Sequence, residues 1–96
     1  MGTEMPTQGV PETIEDEETI LQSPARVLLF NDEVHTFEEV IGQIMKATGC
    51  SLAKAEALTW EVHSAGKANV FTGSMPECIR VSAVLEEIQL HTQIEV

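Results

Sequence analysis

Three helix-start signals constrain how this chain can fold. Thr36 is followed three residues later by Glu39, and each side chain in such a pair bonds a free backbone N–H at the start of a helix. Ser74 and Glu77 repeat this capping-box spacing. Ser51 is a third candidate N-cap, since a serine hydroxyl accepts a hydrogen bond from the first turn. The sequence therefore predicts three helices with defined starting points.

Apolar residues after each start recur at the spacing of a helix. Gly49 and Gly66 stand where left-handed caps would end the first two helices, and Trp60 falls outside the apolar face of the second. Whether Trp60 packs under the N-terminal segment or contacts a partner stays open from the sequence. The apolar faces consist of Phe37, Val40, Ile41, Ile44 and Met45, then Ala55, Leu58 and Val62, and finally Cys78, Val81, Leu85 and Ile88.

Three other segments have the patterns of strands. Residues 25–30 are a short apolar run between Pro24 and a polar loop, residues 67–71 form a second run, and residues 92–96 alternate polar with apolar. The order is therefore β-α-α-β-α-β. We expect a two-layer α+β domain in which three helices pack on one face of a three-stranded, mainly antiparallel sheet.

Acidic residues are concentrated before this domain. Residues 1–24 hold six acids and no base, and the whole chain carries a formal net charge of -11. We expect a flexible acidic N-terminal extension over 1–24 and a folded domain over 25–96, although a solvated tail that only aids solubility has the same composition. So acidic a chain is a poor partner for nucleic acid or for an anionic membrane.

Other classes of protein are also disfavoured. The chain has no apolar run long enough to span a membrane and no secretory signal pattern. Two cysteines and three scattered histidines give neither a disulfide framework nor the ligand spacing of a metal site. We therefore expect a monomeric cytoplasmic protein without a metal or another cofactor.

Polar residues that follow the first strand are candidates for a binding site. Four of them leave the strand together: Asn31, Asp32, Glu33 and His35. Loops held by a rigid sheet often carry function. Asn and Asp are also ordinary turn formers, so this pattern alone has two readings. His63 lies near the end of the second helix. It is a candidate for binding, and a favourable interaction with the helix dipole is an equal alternative for it there. A hydrolase using His63 and Asp32 is disfavoured because no nucleophile motif accompanies them.

Three segments together resemble the ClpS family. They are RVLLFNDEVHTFEEVI at 26–41, WEVHSAGKANVF at 60–71 and LHTQIEV at 90–96. The most specific feature is Asn-Asp after the first strand combined with Val-His before a Gly-Lys-Ala strand. ClpS proteins are small, non-enzymatic adaptors that recognise N-terminal degrons and deliver them to the N-domain of a ClpA- or ClpC-type AAA+ unfoldase. The resemblance covers residues 25–96 and implies the same role here.

The resemblance also implies roles for particular residues. Asn31, Asp32 and His63 are expected to bind the α-amino group of a degron, with His63 neutral, so that its protonation weakens binding. Arg80 is expected to face the unfoldase, and the N-terminal extension is expected to act in the hand-over of substrate. The hydrophobic pocket for the first side chain is expected to consist of His35 at the rim and of Phe37, Val40, Thr59, Val62 and Leu90.

Some positions depart from the commonest family pattern. Phe37 and Thr59 stand where the family usually has methionines at the pocket, and a rigid ring cannot repack as a thioether does. The second strand is also expected to be about two residues shorter than usual. The selectivity for the first residue and the choice of unfoldase therefore stay open. The alternative function is a ClpS-like module that regulates the unfoldase without recognising degrons.

Overall fold

The computed structural model describes residues 23–96 as one α+β domain. The predicted N-terminal extension, up to residue 22, lies outside the described residues. The order of elements confirms the prediction. The elements are β1 (Ala25–Phe30), α1 (Phe37–Thr48), α2 (Leu52–Ala65), β2 (Lys67–Gly73), α3 (Met75–Glu86) and β3 (Thr92–Glu95).

The three strands form an antiparallel sheet in the order β2-β1-β3. β1 is central because it pairs with β2 from Ala25↔Gly73 to Phe30↔Lys67 and with β3 over residues 26–29. Its residues Ala25, Val27 and Leu29 are fully buried. The predicted antiparallel sheet is therefore confirmed, with the most apolar strand in the middle.

β2 is two residues longer than the predicted 67–71 and contains a bulge. The register shifts where Val27 pairs with Phe71 but Leu28 pairs with Asn69. The side-chain oxygen of Asn69 accepts a hydrogen bond from the Phe71 N–H at 3.2 Å, and its amide nitrogen donates to Thr72 Oγ1 at 3.0 Å. Asn69 thus stabilises the bulge, which lets the strand continue to Gly73.

The helix starts are as predicted, but one helix end is not. Both capping boxes are formed, and Gly49 and Gly66 adopt left-handed conformations with φ of 73° and 88°. The apolar spacing of α3 continues to Ile88, yet the helix ends at Glu86. A turn follows in which Gln89 has a φ of 67°, a conformation that non-glycine residues seldom adopt.

The core lies between the sheet and the helices. Gln43 was not predicted to be buried, yet it is 8% exposed, and its amide nitrogen donates to the Val84 carbonyl at 2.5 Å. That bond ties α1 to α3 and satisfies a polar group that would otherwise be costly to bury. The largest fully buried side chains are Leu29, Ile44, Leu85, Val27, Val81 and Cys78.

Two features of residues 23–96 concern the membrane and metal-binding classes of protein considered above. None of the helices there is long and apolar enough to cross a membrane. That part of the chain also contains no group of three or more His, Cys, Asp and Glu side chains placed to hold a metal ion.

Candidate functional site

A cavity of about 310 Å³ opens where β1 ends, between the following loop, α1, α2 and the segment before β3. Each residue that the sequence predicted for amino-group binding or for the apolar pocket lines this cavity. Arg80, predicted to face the unfoldase, does not. Sequence reasoning missed Leu29 and Phe30 in the lining, and it named Glu33 only as a polar residue of the loop. The residues predicted for the site are Asn31, Asp32, His35, Phe37, Val40, Thr59, Val62, His63 and Leu90.

The sheet fixes the start of the polar loop. The Phe30 N–H donates to the His91 carbonyl at 3.0 Å, and the Asn31 N–H donates to the Gly66 carbonyl at 2.9 Å. The backbone of Asn31 is therefore held by the segment that precedes β2. The Asn31 side chain is exposed, and no described residue bonds its amide group. That amide is available to a ligand in the cavity.

Asp32 organises the loop and pairs with His35. Its Oδ1 accepts hydrogen bonds from the backbone N–H groups of Val34 and His35, each at 2.9 Å. Its Oδ2 lies 2.7 Å from Nδ1 of His35, whose Nε2 lies 2.5 Å from the Ile88 carbonyl oxygen. Both ring partners are acceptors, so both ring nitrogens must donate. The doubly protonated imidazolium form of His35 satisfies both contacts.

The electrostatics of this pair agree with its geometry. Burial would raise the pKa of Asp32, but hydrogen bonds from the His35 N–H and ring and from the Val34 N–H outweigh it, so the pKa is lowered. The pKa of His35 is raised, first by the Asp32 carboxylate and then by the Ile88 carbonyl. The sequence placed His35 only at the rim. In the structure it bonds the Asp32 carboxylate directly.

The apolar side of the cavity is formed mainly by α1 and α2. Val62 and Leu90 are each 4% exposed, and Thr59 is 3% exposed. The Thr59 hydroxyl donates to the Ala55 carbonyl at 2.7 Å, so its hydrogen is used within α2. Thr59 therefore adds space to the pocket relative to a longer side chain, without offering a free donor to a ligand.

Phe37 is held in place by two other rings. It meets Trp60 with ring centroids 4.7 Å apart and His63 at 5.2 Å, both edge-on. His63 is exposed on α2, and no hydrogen bond ties its ring to a described residue. Its ring nitrogens are thus available at the wall of the cavity that Asn31 also lines.

Arg80 lies apart from the cavity, on the exposed side of α3. Its Nη1 donates to the Ala47 carbonyl at 3.2 Å, in the last turn of α1. The guanidinium therefore spans two helices and keeps further donors for another partner.

The comparison with family models decides the classification. The model of the ATP-dependent Clp protease adaptor protein ClpS matches residues 21–93. The chain belongs to the ClpS family. Among solved structures, that of Agrobacterium tumefaciens ClpS2 bound to L-phenylalaninamide matches with a TM-score of 0.72 and 16% identity. The match covers 77% of this chain and 96% of the other, and it establishes a ClpS fold.

Two human proteins contain a region similar to this ClpS domain. The E3 ubiquitin-protein ligase UBR2 of Homo sapiens is 36% identical over 58 residues, which are 60% of this chain but 3% of that protein. The E3 ubiquitin-protein ligase UBR1 of Homo sapiens is 32% identical over 66 residues, 69% of this chain and 4% of that protein. The chain thus spans only a few per cent of the length of these curated relatives.

Proposed function

We propose that this ClpS-family chain is a non-enzymatic adaptor that binds N-terminal degrons and delivers the proteins bearing them to a Clp unfoldase. The observation that carries the proposal is the composition of the 310 Å³ cavity. It joins apolar walls to three polar side chains, Asn31, Asp32 and His63, at one place. A residue at a protein's N-terminus presents the matching combination, a charged α-amino group beside a side chain.

Each polar group has a part in binding an ammonium. Asn31 offers an amide oxygen, His63 offers a ring nitrogen, and Asp32 supplies negative charge. L-phenylalaninamide, the ligand of the Agrobacterium ClpS2 structure, has a free α-amino group, an aromatic side chain and an amide in place of the carboxylate. It therefore resembles an N-terminal phenylalanine within a peptide. This supports ligands of the same class for the present cavity.

Peptide binding tests the degron proposal. Fluorescence anisotropy is measured with labelled peptides that begin with Leu, Phe, Tyr, Trp, Ile or Val, each with a free and an acetylated N-terminus. We expect micromolar or tighter binding of the first four and loss of binding on acetylation, since the acetyl group removes the charge. Ile and Val should bind weakly if the pocket is narrow at the β-carbon. Equal affinity for free and acetylated peptides would exclude the proposed amino-group site.

A charge variant connects the assay to the cavity. Asp32→Asn keeps an oxygen for the loop N–H groups but removes the negative charge. A hydrogen bond to a charged group contributes about 1.5–3 kcal/mol. Because the His35 ring already bonds Asp32, we take the lower end and expect a roughly tenfold loss of affinity. Glu56→Gln is the matched control, because Glu56 is exposed on α2 and does not line the cavity. An equal loss in both variants would show that only the net charge of the protein matters.

Delivery requires a second surface, for which we propose Arg80 on α3 together with the N-terminal extension. Arg80→Ala is expected to weaken binding to the N-domain of a ClpA- or ClpC-type unfoldase while leaving peptide affinity unchanged. Lys54→Ala is the control, because Lys54 is also an exposed base but lies on α2. If both variants bind the unfoldase as the natural chain does, Arg80 is not part of the docking surface.

The His35–Asp32 pair favours one alternative. Asp32 already accepts three hydrogen bonds, two from backbone N–H groups and one from the His35 ring. A carboxylate so fully engaged is suited to a structural role, as in a ClpS-like module that occupies the unfoldase without recognising degrons. Unfoldase binding together with no affinity for any free N-terminal peptide would establish this alternative.

A further inference from the structure

Trp60 is an exposed aromatic residue directly beside the cavity. It exposes 60% of its surface and does not line the cavity. Its ring meets Phe37 edge-on at 4.7 Å and His63 at 6.1 Å, and both of those residues line the cavity. The indole therefore continues the aromatic wall of the pocket onto the outer surface of α2. We call this exposed ring the Trp60 ledge.

We propose that the Trp60 ledge is a second subsite, which takes an apolar, preferably aromatic, side chain from the second or third residue of a peptide whose first residue occupies the cavity. This proposal rests on the proposed degron function and adds a preference that the cavity alone cannot supply. The occupant is a peptide side chain because the ledge is continuous with the pocket wall.

Dimensions support this assignment. An extended peptide advances about 3.3 Å per residue, so its second and third residues lie about 3 to 7 Å beyond the first. The 4.7 Å step from the Phe37 ring to the Trp60 ring falls within that range. The indole is also held by Phe37 and His63 at interplanar angles of 72° and 81°. A ring that is fixed before binding loses little conformational entropy when a side chain packs on it.

Another exposed apolar residue of α2 provides the control. Leu52 exposes 54% of its surface at the start of the helix, but it is not part of the cavity lining. If the ledge acts only as an exposed apolar surface, removing the Leu52 side chain should have the same effect on peptide binding as removing that of Trp60.

The test uses the full chain and three labelled peptides with free N-termini, beginning Leu-Gly-Gly, Leu-Phe-Gly and Leu-Gly-Phe and identical thereafter. Affinities are measured for the natural chain and for Trp60→Ala, Trp60→Phe and Leu52→Ala. We expect phenylalanine at the second or third position to raise affinity about threefold to tenfold, the range that an aromatic pair supplies. The gain should vanish in Trp60→Ala and persist in the other two variants.

The affinity ratio within each variant separates the ledge from the pocket. Removing Trp60 also removes support from Phe37, which can weaken all three peptides equally, but the ratio of phenylalanine to glycine peptides cancels that effect. Trp60 is the only tryptophan in the chain, so a blue shift of its emission with the phenylalanine peptides provides an independent readout.

Each outcome decides between the two proposals. If Leu-Gly-Gly binds but phenylalanine gives no gain, or gives the same gain in Trp60→Ala, the ledge proposal is overturned while the degron proposal stands. The ledge proposal is also overturned if Trp60 emission is blue-shifted without peptide and responds to no peptide, because another part of the chain would then cover the Trp60 ring. If no peptide binds the natural chain, both proposals fail.

Discussion

The His35 clamp, formed by His35 between Asp32 and the Ile88 carbonyl, should make the stability of the domain depend on pH. Its two hydrogen bonds span 2.7 and 2.5 Å, and the side chains of His35 and Asp32 are 11% and 26% exposed. Bonds to charged groups contribute about 1.5–3 kcal/mol each when well shielded. Because water reaches Asp32, we take the lower end and expect His35→Ala to cost about 2–4 kcal/mol at pH 5.5.

The direction of the pH dependence follows from the two pKa shifts. The pKa of His35 is raised above its ordinary 6.5, so its stabilising effect is complete below 6.5 and declines as the pH rises through the folded-state pKa. The pKa of Asp32 is lowered from 3.8, so its contribution is present above 3.8 and declines only as the pH falls through the lower folded-state value. The clamp should therefore stabilise most between about pH 4 and 6.5.

Urea unfolding followed by circular dichroism measures this effect at pH 5.5 and pH 9. A neutral imidazole carries one ring proton and keeps one of the two bonds, so the cost of His35→Ala should fall to about 1–2 kcal/mol at pH 9. His35→Gln is the control, since a neutral amide does not titrate over this range, and its stability relative to His35→Ala should be similar at both pH values. A cost of His35→Ala that is equal at the two pH values, or larger at pH 9, would refute the imidazolium clamp.

Three further positions test the core, the turn after α3 and the pocket, and the free energy of unfolding of each variant is measured in urea. Leu85→Ala should cost about 3–5 kcal/mol because Leu85 is fully buried, whereas Ile79→Ala on the exposed side of α3 should cost under about 1 kcal/mol. Gln89→Val should cost about 1–2 kcal/mol, since a β-branched residue is strained at a φ of 67°, while Gln89→Gly should be nearly neutral. Thr59→Val should change the free energy of unfolding by about 1 kcal/mol or less. It should also change peptide affinity, measured by anisotropy, less than about threefold, because the Thr59 hydroxyl already bonds the Ala55 carbonyl. A tenfold loss of affinity in Thr59→Val would show that the hydroxyl contacts the ligand.

The helices and strands were predictable because their signals are local. The capping boxes at Thr36 and Ser74 and the glycine at position 49 each act within one or two turns of chain. The exact length of β2 was not predictable, since it depends on how Asn69 bonds Phe71 and Thr72 in the bulge. That arrangement becomes favourable only when β1 lies alongside.

The cavity residues were predicted through the resemblance, but their interactions were not. The bond from His35 to the Ile88 carbonyl joins residues 53 apart in sequence. It depends on α3 ending at Glu86 and on the left-handed turn at Gln89, and no glycine marks that turn. The spacing of Asp32 and His35 in sequence allowed their contact to be anticipated. The second contact of the His35 ring, to the Ile88 carbonyl, could not be anticipated in the same way.

The polar side of the pocket is therefore built by the whole domain rather than by its loop. The Gly66 carbonyl, before β2, holds the Asn31 N–H, while the Ile88 carbonyl, after α3, holds the His35 ring that in turn orients Asp32. Two connections distant in sequence thus set the geometry of the adjacent residues Asn31 and Asp32. If the site binds an ammonium as proposed, that group shares the Asp32 carboxylate with the His35 ring, so its net gain at Asp32 is smaller than an isolated carboxylate would give. The proposed affinity would then come largely from the apolar walls and from Asn31 and His63.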